Sequence, residues 1–139
     1  MKPRIEITED ITTCLELRRL VFIEEQDVSE ADERDELDPH CLHLLAFHAQ
    51  QPVGTARIYI REEIAKIGRV CVLQTVRGTG LGGALIRKSL AVAKANGARQ
   101  AKLGAQLHAL GFYEALGFTA YGPTYDDAGI AHQDMVQEL

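Results

Sequence analysis

The chain alternates between apolar runs of strand length and stretches where apolar residues recur at helical spacing. Residues 3–7 predict a first strand. Asp10 can cap a helix running to about residue 25, with Ile11, Leu15, Leu17, Leu20, Val21 and Ile23 as its apolar positions. The polar stretch that follows reads as a loop or broken short helix, closed by Pro39. Residues 41–49 (CLHLLAFHA) predict a strand, Gln50-Gln51-Pro52 a hairpin turn, and residues 53–60 the partner strand. Glu62-Glu63 reads as the next turn. Residues 64–73 predict a third consecutive strand, with a bulge or close backbone approach at Gly68 or just after it. Helical spacing returns from Thr79 or Gly80 to Asn96-Gly97, with Leu81, Leu85, Val92 and several alanines on the buried side. Residues 99–105 predict a strand, and about 107–116 a short helix ended by Gly117. Residues 118–121 return as a strand, GPTYDDAG reads as a loop, and a last strand lies near residues 132–137. Three adjacent strands suit antiparallel pairing, and the units around the two later helices suit crossovers. The expected fold class is α/β (α+β): a mixed, twisted sheet with helices on both faces.

Charge adds a direction to this pattern. The net charge is −5, but residues 24–38 (EEQDVSEADERDELD) hold nine acids and one Arg, leaving +3 for the rest. Residues 64–113 contain no acid and eight Lys and Arg. Such a block favours a polyanionic ligand. Nucleic acid is not expected, because the chain is acidic overall and lacks aromatic–basic interleaving. No apolar run reaches the roughly 18 residues of a membrane span. The opening MKPRIEITED lacks the apolar segment of a signal peptide, so one cytoplasmic domain over residues 1–139 is expected. Cys14, Cys41 and Cys71 form neither a CxxC metal site nor a disulfide framework. They read as buried small apolar residues, and no metal is expected.

Candidate chemistry concentrates in residues 69–83, RVCVLQTVRGTGLGG. Val70, Cys71, Val72 and Leu73 suit a strand buried on both faces. Gly78, Gly80, Gly82 and Gly83 then remove side chains where a ligand could approach the backbone, just before a helix N-terminus. Gly78, Gly80 and Gly83 satisfy GxGxxG. The acid that a dinucleotide ribose needs about 20 residues on is missing, however. A P-loop would require lysine after Gly83, and Ala84 stands there. The loop still suits a phosphate-bearing ligand of another kind.

At this point the chain resembles the GNAT N-acetyltransferase superfamily. Its signature Q/R-x-x-G-x-G/A is matched by Arg77-Gly78-Thr79-Gly80-Leu81-Gly82, between a strand and a helix. Its aromatic helix closed by Gly-Phe is matched by Phe112-Tyr113-Glu114-Ala115-Leu116-Gly117-Phe118. The element order agrees over nearly the whole chain. Finer details resemble the ElaA/YjcF-like branch: Val21-Phe22-Ile23 before Glu25-Gln26, the Glu33/Asp35/Asp38 cluster, His43, Ala105-Gln106, and Gly129-Ile130 with His132 and Met135.

The resemblance implies a single-domain acyl-CoA N-acyltransferase fold and direct acetyl transfer from acetyl-CoA to a primary amine. The acceptor class would be a small molecule or a Lys-type amine. Backbone N–H groups of Arg77, Gly78, Thr79, Gly80, Leu81 and Gly82 would cradle the pyrophosphate. A bulge in the preceding strand, with Val70, Cys71 and Val72, would free an N–H near Cys71 or Val72 for the thioester carbonyl. Tyr113 would donate to the departing thiolate, with Phe112 beside the cofactor. Glu25, Glu33, Asp35, Asp38, His43 and His132 stay open as candidates for the base that deprotonates the amine. Glu33, Asp35 and His43 head that set, while Glu25, Asp38, Arg69, Gln106 and His132 would line the acceptor site. The acidic segment would attract a cationic amine. Arg57 and Arg69 would contact CoA, a substrate carboxylate or the acidic segment. The same marks fit a non-catalytic acyl-CoA sensor or interaction module, and the family allows a homodimer.

Overall fold

The computed structural model describes residues 3–139. Seven strands form one mixed sheet in the order β1-β2-β3-β4-β5-β7-β6. They are β1 (Arg4–Thr8), β2 (Leu42–His48), β3 (Gln51–Arg61), β4 (Ile64–Val72), β5 (Gln100–Gln106), β6 (Thr119–Asp127) and β7 (Ile130–Glu138). β2, β3 and β4 form the expected antiparallel meander. Its turns fall at Ala49-Gln50 and Glu62-Glu63, all with positive φ, as two-residue hairpins matching the strand twist require. The first turn therefore lies one residue before the expected one, and Pro52 joins β3.

Helices cover both faces. α3 (Leu81–Ala95) packs Leu85, Ile86, Val92 and Ala93 onto Leu44, Ile58, Ile67 and Leu103. Gly97, at φ 91°, ends it as expected. The short α4 (Leu110–Ala115) joins the same core through Leu110 and Tyr113. On the opposite face α1 (Ile11–Arg18) packs Cys14 and Leu17 against Leu45 and Cys71. Asp10 caps α1, its carboxylate accepting from the Thr13 N–H at 3.1 Å. From Arg19 to Glu25 the helix widens into a π turn, marked by the Gln26 N–H donating to the Val21 carbonyl. α2 (Glu30–Glu33), capped by Ser29, and a 3-10 turn at Asp38–His40 then carry the acidic segment. Cys14 and Cys71 are buried as expected, whereas Cys41 is half-buried, and all three are free thiols.

The sequence expectation fails at GPTYDDAG. Residues 122–127 continue β6, and the turn comes at Ala128-Gly129. The register of β6 on β7 slips between Tyr121 and Thr124, at Gly122-Pro123. An edge strand tolerates a proline and a bulge there. Among the described residues, no helix is long and apolar enough to cross a membrane.

Candidate active site

Among the described residues β4 and β5 are the one parallel pair, and they pair only over Ile64–Lys66 and Gln100–Lys102. Beyond Lys66 they separate, and a cleft of about 1110 Å³ opens between them. A bulge in β4 accompanies the split. Thr55 faces Cys71 and Arg57 faces Gly68, so Ala56 stands opposite both Arg69 and Val70. Arg69 takes φ 51°, the left-handed region. The bulge thus follows Gly68, and an arginine rather than the glycine adopts the unusual backbone.

The bulge decides which N–H groups face the cleft. The Leu73 N–H donates to the Val53 carbonyl on β3 at 2.8 Å. Strand alternation then turns the polar groups of Val72 and Val70 away from β3, toward the departing β5. The Val72 carbonyl accepts from Arg77 at 3.2 and 3.0 Å on that side. Cys71 faces the other way. Its side chain is buried with Cys14 and Leu17, and burial pushes its thiol up to about 12. Of the two positions expected to free an N–H, Val72 is the one so oriented.

The glycine loop stands at the end of β4. Gly78 and Gly80 have φ 80° and 86°, and a Cβ at either would meet nothing within 4 Å. Gly80 is the N-cap of α3 and no side chain caps the helix, so its first-turn N–H groups remain available to a ligand. The Thr79 hydroxyl ties the loop to the Val76 carbonyl, and Leu81 is buried. A Cβ at Gly82 would lie 3.5 Å from Phe112 Cζ and 3.8 Å from Val72 Cγ2. The first turn of α3 therefore forms one wall with β4 and α4. The Arg77 side chain points away from this use. It binds Glu25 through two hydrogen bonds of 2.5 and 2.7 Å, and Arg77 holds the Glu25 carboxyl below its usual range. Glu25 lines the cleft as an arginine partner, poorly suited to act as a base.

Tyr113 also lines the cleft. Phe112, 44% exposed, packs edge-on to it at 5.0 Å, and Phe118 does so from behind at 5.9 Å. Burial pushes the phenol up to about 12.

The acidic segment does not form the cation-attracting wall expected of it. Buried Arg18 hydrogen-bonds Glu33 and, at 2.8 Å, Asp38. Arg57 grips Asp35 at 2.7 and 2.6 Å and Asp38 at 3.0 Å. Arg69 reaches the Glu33 carbonyl at 3.1 and 2.9 Å. Three arginines thus offset three carboxylates. The Arg57 hydrogen bonds hold the Asp35 carboxyl at about 2. Burial opposes ionisation of Asp38, but Arg18 and Arg57 outweigh it and keep that carboxyl low. Glu33 and Asp35 line the cleft but are already spent as counter-ions, and Asp38 is not among its lining residues. His43 is buried away from the cleft and donates from Nε2 to the Asp38 carbonyl at 2.8 Å. Its role is to anchor that loop. The expected base roles of Glu33, Asp35 and His43 do not fit this geometry.

His132, in contrast, lines the cleft on β7. Its Nδ1 is 2.7 Å from the Ile130 carbonyl. A carbonyl only accepts, so Nδ1 carries the proton and Nε2 the lone pair. Tyr125 stacks on the ring at 5.9 Å and donates to Asp134 at 2.7 Å. Gly104 leaves room for this, because a Cβ there would collide with the Tyr125 hydroxyl. Tyr125 escapes sequence reasoning because residues 122–127 read as a loop, and its pairing with Asp134 on the last strand goes unseen with it. Gln106 sits between Gln26, to which it donates at 3.0 Å, and His108, from which it accepts at 2.7 Å.

Residues 18–139 match the family model described as an acetyltransferase (GNAT) domain. The protein YyaT of Bacillus subtilis (strain 168) is 41% identical over 139 residues, covering 98% of this chain and 94% of YyaT. The N-acetyltransferase YjcF of the same organism is 31% identical over 131 residues, 94% of each chain. The protein ElaA of Escherichia coli (strain K12) is 33% identical over 130 residues, 90% of this chain and 85% of ElaA. The solved structure of Escherichia coli ElaA superposes with a TM-score of 0.80 at 27% identity, covering 99% of both chains.

Proposed function

The chain belongs to the GNAT acetyltransferase family, in its ElaA/YjcF-like branch, and on that premise we propose that it transfers an acetyl group from acetyl-CoA to a primary amine by direct attack in a ternary complex. The observation that carries this reading is the stretch of β4 beyond Lys66, which stays paired with β3 but is open on its β5 side. It leads to the glycine loop and turns Val70 and Val72 toward the cleft that His132 of β7 also lines.

The loop at residues 77–82 and the α3 N-terminus hold the pyrophosphate through backbone N–H groups. The Val70 and Val72 N–H groups receive the thioester oxygen as it gains charge, and one such donor is worth roughly 3 kcal/mol. The acceptor ammonium first loses a proton, and His132 Nε2 is the base the geometry favours. The amine nitrogen attacks the carbonyl carbon, the C–S bond breaks, and the thiolate leaves. Nitrogen sheds its second proton, the thiolate takes one up, and one proton goes to solvent overall. Tyr113, with a phenol at about 12, is a weaker acid than a thiol near 8.5. It therefore stabilises the departing sulfur through a hydrogen bond rather than by full proton transfer.

Release of CoA thiol tests this. Tyr113→Phe should lower kcat about 10- to 100-fold and leave acetyl-CoA affinity within about twofold. An unchanged kcat removes Tyr113 from the chemistry. His132→Gln should cost on the order of 100-fold at neutral pH and recover as pH rises toward the amine's own pKa near 10. Without that recovery, His132 is not the base. Tight acetyl-CoA binding with no thiol release from any amine would instead mark a binding module.

A further inference from the structure

Resting on the acetyltransferase reading, we propose that the acceptor bears a carboxylate close to its amino group, an amino-acid-class substrate, and that Arg69 with Lys66 beside it binds that carboxylate. The three arginines under the acidic segment are not equivalent. Arg18 and Arg57 each own carboxylates at hydrogen-bonding distance. Arg69 has only a shared one: its Nη2 donates to Asp35 Oδ2, which Arg57 holds more closely at 2.6 Å, and Glu33 is bound by Arg18. The nearest carboxylate oxygens to Arg69 lie at 3.3 Å on Asp35 and 3.9 Å on Glu33. Its shorter bonds go to a backbone carbonyl and use Nε and Nη2, so Nη1 takes part in none of them. The electrostatics follow the geometry. Burial, then repulsion from Arg57, pushes the Arg69 guanidinium below its usual range, while Asp35 and Asp38 lift Arg57 above it despite burial. Arg69 is an under-compensated cation on the wall of the cleft, 25% exposed.

Its backbone places that charge beside the chemistry. A left-handed arginine is costly and persists where the surroundings enforce it. Here the bulge carries Arg69 directly before Val70 and Val72, where the acetyl group is received. A carboxylate on Arg69 would thus lie near the amine under attack. Lys66 lines the same cleft, is exposed, and has no ion pair among the described residues. Across the cleft on β6 and β7 stand exposed Asp127 and half-buried His132, which suit an ammonium. Positive charge on β4 and negative charge opposite complement a zwitterion. A polyamine would set ammonium groups against Arg69 and Lys66, and the acids that would welcome it are neutralised. The exposed Asp32 alone on that side is screened by solvent.

The test is kcat/KM for thiol release with α-amino acids, their carboxamides, spermidine and a blocked lysine peptide, at pH values giving equal free-amine fractions. The carboxylates should exceed their carboxamides about tenfold or more. Arg69→Gln should erase that preference, lowering the carboxylate-to-carboxamide ratio of kcat/KM about tenfold, and Arg69→Lys should restore part of it. Arg69 also anchors Glu33, so Lys66→Gln, outside the network, is measured in parallel with melting curves and should raise KM for carboxylates about two- to fivefold. Equal use of acids and carboxamides, or spermidine or peptide as best substrate, overturns this inference and leaves the acetyltransferase reading intact. No turnover with any amine defeats both.

Discussion

Gly82→Leu should weaken acetyl-CoA binding by on the order of 100-fold while leaving the fold at least as stable. Gly82 lies in the first turn of α3, with ordinary helical backbone, between Phe112 at 3.5 Å and Val72 at 3.8 Å. A leucine would extend from that Cβ into the space between β4 and α4 and across the N–H groups of the turn. The helix gains a better helix former than glycine. Loss of binding therefore could not be blamed on unfolding. Gly80 is the less clean site, because its φ of 86° makes any side chain strained. Gly80→Val should lose both affinity and roughly 1–2 kcal/mol of stability. Calorimetric titration with acetyl-CoA beside a melting curve reads both quantities. Undiminished affinity in Gly82→Leu would place the pyrophosphate elsewhere.

The largest stability effect should come from Arg18. Its side chain is 1% exposed, and it neutralises Glu33, itself 4% exposed. Arg18→Met leaves a buried carboxylate without its partner, a loss of about 3–5 kcal/mol by denaturant unfolding. The double variant Arg18→Met/Glu33→Met should regain most of that, because removing both charges removes the desolvation cost as well. One nitrogen of Arg18, Nη2, is already buried without a hydrogen-bond partner, so the wild-type network is itself incompletely satisfied. If the double variant is no more stable than Arg18→Met, the pair is not a coupled unit.

These residues mark where the sequence was readable. The glycine loop and the Phe112–Phe118 helix were legible because their signals are local: spacing, a cap and a stop. The meander was legible for the same reason, since its turns interrupt apolar runs. The ion pairs of Arg57 and Arg69 with the acidic segment are among the contacts those arginines allow, but the buried pairing of Arg18 with Glu33 and Asp38 is not legible, because a run of like charges does not show which helix packs over it. The bulge falls just after Gly68, as a glycine inside a strand leads one to expect. The chain spends an arginine on its positive φ, as functional sites do. Gly122-Pro123 imitated a loop where an edge strand merely carries a bulge. The stacking of Tyr125 on His132 is hidden with it, so nothing in the sequence raises His132 above Glu33, Asp35 and His43 among the candidate bases.

The acetyl group should pass directly from CoA to the amine within the cleft between β4 and β5. A single turnover with isotopically labelled acetyl-CoA, followed by mass spectrometry of protein and small molecules, tests it most directly. Label should pass from CoA to the acceptor nitrogen, one thiol appearing for each amide formed, with no acetylated protein at any time. Cys71 cannot serve as a carrier, being 4% exposed with a thiol pushed up to about 12. Label on the protein before the amine is added would contradict the account, as would bound acetyl-CoA that no amine can discharge.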